Sequence, residues 1–370
     1  MKNEVQRILT VPRDLRDFPK RIQIEISNIC NLDCIYCTLK DNMPDKATMS
    51  QETFSRILPY MKYMRGVSFC GNAEALMNKN VSSFIRQIKK KSKGVYISIF
   101  TNAELLTEKY SREFIEYGLD SLVFSIDGVK PELVDSVRKK GSLETILSNI
   151  ERLQRIKEET GSKLPIVSAT LVMYKKNYKQ IPDVLRLLRK IGVLRLNVNG
   201  LEPYSESFLD EILWNDPSTF PEIIEVLNES VTIAKELGIE LLVANLIPQS
   251  GNCTETEIPI ILANGDVVPC SVLSYPRPGY YSVSDENCPV RTENYKKQLI
   301  FGNINVNTLH EIWFDPDYVD FRQKVVSKEF PKVCRNCLVK HRFICVRPEW
   351  SVNSVLNELA KAVSVVSAND

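Results

Sequence analysis

Residues 21–37, RIQIEISNICNLDCIYC, join a strand-like run to a loop that carries three cysteines in eight residues. The run RIQIEIS (21–27) is rich in β-branched residues, as strands are. The loop then sets Cys30, Cys34 and Cys37 at C-x3-C-x2-C spacing, with Tyr36 just before the last thiol. A closed tetrahedral metal site needs four ligands, so the loop by itself stops one short.

The same alternation continues downstream. Strand candidates follow at GVSFCG (66–71), VYISIFTN (95–102), SLVFSIDG (121–128), PIVSATLVMY (165–174) and LRLNVNG (194–200). Helical patterns fill the gaps. The clearest is 142–159, where Leu143, Ile146, Leu147, Ile150, Leu153 and Ile156 recur at helical spacing after Ser142, an N-cap candidate. Six strand–helix units in series predict parallel strands joined by right-handed crossovers. Six is short of the eight that close a full barrel, so the expected fold is α/β, an open partial (β/α)6 barrel. Its functional groups belong at the carboxyl ends of the strands, the edge on which the cysteine loop lies.

Bulk properties narrow the function. The 370 residues are 44% apolar and 25% charged, with net charge +2, so no global field favours nucleic acid or an acidic membrane. The basic runs KKKSK (89–93) and RKK (138–140) read as solvated helix ends. The first twenty residues lack a signal-peptide core, and no run of about 18 apolar residues predicts a membrane span. The expected location is the cytoplasm, where ten cysteines need a reason other than disulfides. Two histidines, His310 and His341, are too few for a histidine-based metal site.

After residue 204 the pattern changes. A segment at 205–250 holds a helix over 219–237 and the strand GIELLVA (238–244). IPIILANGDVVPC (258–270) places two apolar runs around Asn264-Gly265, the strongest short hairpin signal. Residues 275–300 read as a long loop and 308–327 as a helix, and CRNCLVKHRFIC (334–345) leads into a helix near 351–363. The expected organisation is a lead segment 1–20, a barrel 21–204, a connector 205–250 and a small α+β domain 251–370.

Three thiolates on one short loop can wrap a small cluster, and iron–sulfur clusters prefer such soft ligands. A [4Fe–4S] cube has four irons, so three cysteines leave one iron free for an exogenous molecule. A chance group of buried cysteines, or a zinc site completed from elsewhere, are the other readings of these residues.

The loop, with its aromatic residue before the third cysteine, resembles the signature of the radical S-adenosylmethionine (SAM) enzymes. FCGNAEALMN (69–78) is similar to their G-x-G-E-P-L loop, TNAELL (101–106) to the segment after their third strand, and SIDG (125–128) to the end of their fourth. The resemblance spans about residues 21–204 and implies a [4Fe–4S] cluster that binds SAM and cleaves it to a 5′-deoxyadenosyl radical. It implies Cys30, Cys34 and Cys37 as cluster ligands and Tyr36 near the adenine. Gly71 is implied to admit SAM close to the backbone, and Glu74 to accept from its ammonium. Ser125 is implied at its polar groups and Arg138 at its carboxylate. Asn102 and Asp127 touch ribose or cap their turns. Ala73 and Ala75 depart from the family's second Gly and Pro.

Cys253, Cys270, Cys334 and Cys337 form C-x16-C…C-x2-C, a set that suits zinc and iron–sulfur alike. With Gly265 five residues before Cys270, the group is similar to the opening of the SPASM or twitch extension. FGNINVNTLHEIWFDPDYVDFRQKV (301–325) is similar to SPASM sequences. This resemblance implies one auxiliary [4Fe–4S] cluster on those four cysteines, with Cys345 able to replace one. Cys288 and Cys345 are also candidate hydrogen donors to a substrate radical, and Cys70 reads as an ordinary strand residue.

The expected activity is oxidation of a small molecule such as a sugar or cyclitol, with the auxiliary cluster as electron acceptor and a flavodoxin or ferredoxin as electron donor. Epimerisation with a cysteine hydrogen donor and maturation of a ribosomal peptide are the alternatives. The twenty residues before strand one are too few for a peptide-recognition domain, which favours the small molecule. The rival from another class is a non-catalytic zinc-binding interaction protein on a degenerate core.

Overall fold

The computed structural model describes residues 18–37, 45–201, 210–213, 216–244, 253, 255–275, 280–282, 291–293 and 298–334. Cys288, Cys337, Cys345 and the helix expected near 351–363 lie outside the described residues.

The strands are β1 (Arg21–Ile24), β2 (Asp33–Cys34), β3 (Gly66–Phe69), β4 (Tyr96–Thr101), β5 (Ser121–Ser125), β6 (Arg138–Lys139) and β7 (Ile166–Met173). They continue as β8 (Arg195–Gly200), β9 (Glu240–Ala244), β10 (Ile260–Ile261), β11 (Asp266–Val268), β12 (Tyr280–Ser282), β13 (Arg291–Glu293) and β14 (Gly302–Asn303). One ten-stranded sheet runs in the order β14-β11-β10-β1-β3-β4-β5-β7-β8-β9. From β1 to β9 all its pairings are parallel. The six expected strands are present, and GIELLVA adds β9 as a seventh parallel strand beside β8.

The crossover helices are α1 (Gln51–Ile57), α2 (Val81–Lys91), α3 (Glu108–Tyr117), α4 (Pro131–Val137), α5 (Leu143–Thr160), α6 (Ile181–Lys190) and α7 (Phe220–Leu237). Their caps follow from sequence. Ser142 accepts from the Thr145 N–H at the start of α5, and Gly161 ends it in the left-handed conformation at φ 65°. Alternation along the strands decides which face the helices cover. Ile22, Ile24, Val67, Phe69, Ile97, Ile99, Leu122, Phe124, Leu196 and Val198 are buried and share one core with Phe54, Phe84, Phe114, Ile150 and Leu188 of the helices. Of the intervening positions, Gln23, Ser68, Ser98, Ser125, Thr170, Asn197 and Asn199 are polar and half-buried, while Phe100, Val123 and Val172 are apolar. Gln23, Ser68 and Ser98 are register partners, as are Ser125, Thr170 and Asn197, so they line the other face in rows. One apolar face and one mixed face rich in polar groups suit a curled, barrel-type sheet with helices on its outside.

The second part of the chain extends this sheet. β10 pairs parallel to β1, at Gln23↔Ile260 and Ile24↔Ile261, and β11 returns antiparallel through the expected Asn264-Gly265 turn. Gly265 has φ 92°, and a Cβ there would lie 2.5 Å from Asn305 Nδ2, so glycine is required twice over. The helix expected over 308–327 is two, α8 (Leu309–Trp313) and α9 (Pro316–Val326). Pro316 cannot continue α8, and Asp315 caps α9 by accepting from the Asp317 and Tyr318 N–H groups.

KKKSK ends α2, and RKK ends α4 with Arg138 as its C-cap and Lys139 and Lys140 exposed; only the burial of Arg138 departs from expectation. Arg138 and Lys139 form β6, which pairs antiparallel with β2 in the cysteine loop, and Arg138 is 5% exposed.

Ile261 is fully buried on β10, where the two parts of the sheet meet. Ile261→Ala is expected to lower stability by about 2–5 kcal/mol in denaturant unfolding. Because the sheet is continuous, secondary and tertiary signals should melt together.

Candidate active site

The cysteine loop leaves the carboxyl end of β1 and is held by backbone pairing. Asp33 and Cys34 pair with Lys139 and Arg138, and the Ile35 N–H donates to Val137 O at 2.9 Å. Cys30, Cys34 and Cys37 are all half-buried. The Leu32 N–H donates to Cys30 Sγ at 3.4 Å, and Asn102 Nδ2 donates to it at 3.8 Å. Burial pushes the Cys30 thiol up, and Cys34 up to about 11 against the lowering field of Arg138. Among the described residues no three acidic, histidine or cysteine side chains converge on one metal ion. Three soft, partly exposed thiols with N–H groups aimed at one sulfur suit a cluster instead, since such bonds are among the levers that tune it.

Glu74 closes the loop after β3. Its Oε1 accepts from Thr101 Oγ1 at 2.7 Å and the Leu76 N–H at 2.9 Å, and its Oε2 from the Asn102 N–H at 2.7 Å. At 2% exposure it is buried, and these bonds tie the ends of β3 and β4 together. Burial pushes its carboxyl up, against three hydrogen bonds that lower it. Asn102, anchored by this bond, spans Cys30 and Asn31, whose Oδ1 it reaches at 2.9 Å. Gly71 is required by Glu25, because a Cβ at 71 would meet Glu25 Cγ at 2.4 Å.

Arg138 stands on the strand paired with the cysteine loop. Its Nε lies 2.5 Å from Asp127 Oδ2, with both side chains buried, so the guanidinium is paired inside the protein. Tyr36 donates its hydroxyl to both Asp127 oxygens at 3.0 Å. Its ring lies 6.5 Å from that of Tyr174, in an apolar group with Val137, Leu201 and Ile212. Asn177 Nδ2 donates to Asp127 O at 3.0 Å and so fixes the end of β5. Ser125 stands on the polar face beside Thr170.

Several neighbours escaped the sequence reading. Glu25 is 2% exposed, accepts from the Asn72 N–H at 3.1 Å, and takes the hydroxyl of Tyr275 across to the second part of the chain. A charge inside the apolar run IQIEIS was its one signal. Asn31, Tyr174, Asn177 and Tyr275 carried none, because their partners are distant in sequence.

In the second part, Cys270 follows β11 and is buried, and Cys253 and Cys334 pack half-buried against the same core. Cys337 lies outside the described residues, so the fourth expected member of this set is not placed.

With this geometry, comparison with known proteins is direct. The Radical SAM superfamily model matches residues 24–188, and the SPASM iron–sulfur cluster-binding domain model matches 253–338. The chain is a radical SAM protein with a C-terminal SPASM domain, and its cofactors are a [4Fe–4S] cluster, SAM and auxiliary iron–sulfur. It is 26% identical over 327 residues to the tungsten-containing aldehyde ferredoxin oxidoreductase cofactor-modifying protein of Pyrococcus furiosus, covering 87% of this chain and 88% of that one. It is 30% identical over 179 residues to a probable GTP 3′,8-cyclase of Methanococcus aeolicus, or 47% of this chain and 57% of that one. Native anSMEcpe with bound AdoMet shares the fold at TM-score 0.59 and 16% identity, over 95% of this chain and 99% of that one. Streptococcus suis SuiB bound to precursor peptide SuiA does so at 0.61 and 16%, over 92% and 74%. No helix among the described residues is long and apolar enough to cross a membrane.

Glu74→Gln turns an amide NH2 toward groups that donate and is expected to cost about 1–3 kcal/mol. The native carboxyl holds its proton above its ordinary 4.5, so its share of stability is full below that value and falls as pH rises through the raised one. Denaturant midpoints across that window should lose this slope in the Gln variant.

Proposed function

We propose that this radical SAM enzyme oxidises a small polyhydroxylated or amide-bearing molecule held against the polar face of the barrel sheet. When bound, the cofactors supply SAM cleavage to an adenosyl radical and an electron sink for the substrate. The observation that carries the reading is the polar face itself. Gln23, Ser68, Ser98, Ser125, Thr170, Asn197 and Asn199 offer hydroxyl and amide groups on the side away from the helices, with Phe100, Val123 and Val172 as apolar surface among them. A sheet face packed as core would be apolar; these rows suit a ligand with many hydrogen-bonding groups.

In this reading Cys30, Cys34 and Cys37 hold the SAM-binding cluster, and Asn102 orients Cys30 through its 3.8 Å contact. Tyr36 and Ser125 border SAM. Cys253, Cys270, Cys334 and Cys337 hold the auxiliary cluster, with Cys288 and Cys345 as further thiols near substrate. The length-wide similarity to a cofactor-modifying protein supports a small-molecule substrate. A flavodoxin or ferredoxin is the proposed electron donor.

Anaerobically reconstituted protein should hold about eight irons per chain for two clusters, against four for one. Zinc at the second set would remove the redox role. Reduced enzyme with SAM should release 5′-deoxyadenosine, and Cys30→Ala should abolish this. With polyol substrates the product should be two mass units lighter. An unchanged mass with inverted configuration would make the enzyme an epimerase, and turnover of a peptide alone would overturn the small-molecule reading.

A further inference from the structure

The cysteine loop is tied to the segment after α4 by backbone and by charge at once. Cys34 is the register partner of Arg138, and the Ile35 N–H bonds to Val137 O. On that same ladder the Arg138 side chain turns inward to Asp127, with side-chain exposures of 6% and 0%. Tyr36, the residue before Cys37, bonds to both Asp127 oxygens, and Arg138 Nη2 lies 3.4 Å from the Tyr36 oxygen. Asp127 is fixed in turn by Asn177 at its carbonyl. A guanidinium is thereby locked beside the loop in a poorly screened setting, where its field reaches further than in water.

We propose that Arg138, held by Asp127, is a positioning residue that shapes the cysteine loop and raises the reduction potential of the cluster bound there. The proposal rests on Cys34 being a ligand of that cluster. Reduction adds one negative charge to a cluster, and a fixed cation nearby favours the reduced form; local charge is among the protein's levers on such potentials. Asp127 offsets part of the field and sets where the cation sits. Arg138 is then engaged by the loop and is not the partner of SAM's carboxylate.

The test is an EPR-monitored redox titration of the reconstituted holoenzyme without SAM, following the reduced signal that added SAM perturbs. Arg138→Met should lower the midpoint and Asp127→Asn should raise it, with the double variant D127L/R138M between the two. Arg138→Lys should return it toward the native value. An unmoved midpoint in R138M, whether or not SAM affinity falls, overturns the proposal. Where R138M holds no iron, restoration of iron by R138K supports it and equal loss in both variants overturns it. A native signal that SAM leaves untouched refutes the ligand assignment itself, and the proposal with it, by a result no Arg138 variant produces.

Discussion

Everything in this chain is built on β1, four residues paired on both edges in the same direction. Its parallel partners β3 and β10 belong to the barrel and to the SPASM part respectively. Parallel pairing puts the carboxyl ends of all three strands on one edge, because only that alignment satisfies the ladder. The cysteine loop therefore opens beside the loop after β3, which carries Gly71 and Glu74. Glu25, just past β1, then bonds both to that loop and to Tyr275. A slip of one residue in β1 would exchange its apolar and polar faces and move the thiols off the edge.

The one-sided character of the sheet follows from the same geometry. Every crossover between adjacent parallel strands places its helix on the apolar side, and burial of Ile, Val and Phe there stabilises the arrangement. The other side carries mainly Ser, Thr, Asn and Gln, with Phe100, Val123 and Val172 among them, and its hydroxyl and amide groups hold water or ligand at little cost. Ser68 and Ser98 are already joined at 2.9 Å, and Asn199 reaches Thr170 at 3.3 Å. Such contacts keep the face ordered while leaving further bonding capacity on each group. Stability and binding are thus divided between two faces of one sheet.

Around the thiols, charge is buried and answered by specific partners. Glu74 accepts three hydrogen bonds, and Asp127 takes Arg138 and Tyr36. Burying a carboxylate without such partners would be costly. The resulting wiring is stiff, as a radical site requires, since stray water or a misplaced hydrogen diverts the reactive intermediate. Glu74 and Arg138 are both engaged by the protein's own loops in this wiring.

Sequence by itself determined the class. Strand alternation, helix caps, the Asn264-Gly265 turn and the C-x3-C-x2-C spacing are local features, readable because each depends on neighbours a few residues away. The burial of Arg138 within RKK and the break of 308–327 into two helices go beyond that reading. The second has a local signal in Pro316, and the first has none. Tertiary structure alone decided that Arg138 meets Asp127, that Glu25 meets Tyr275, and that the connector's strand joins the sheet beside β8. Those contacts join residues from 11 to 250 apart, and what fixes them is the packing of parallel strands, which no short window of sequence contains.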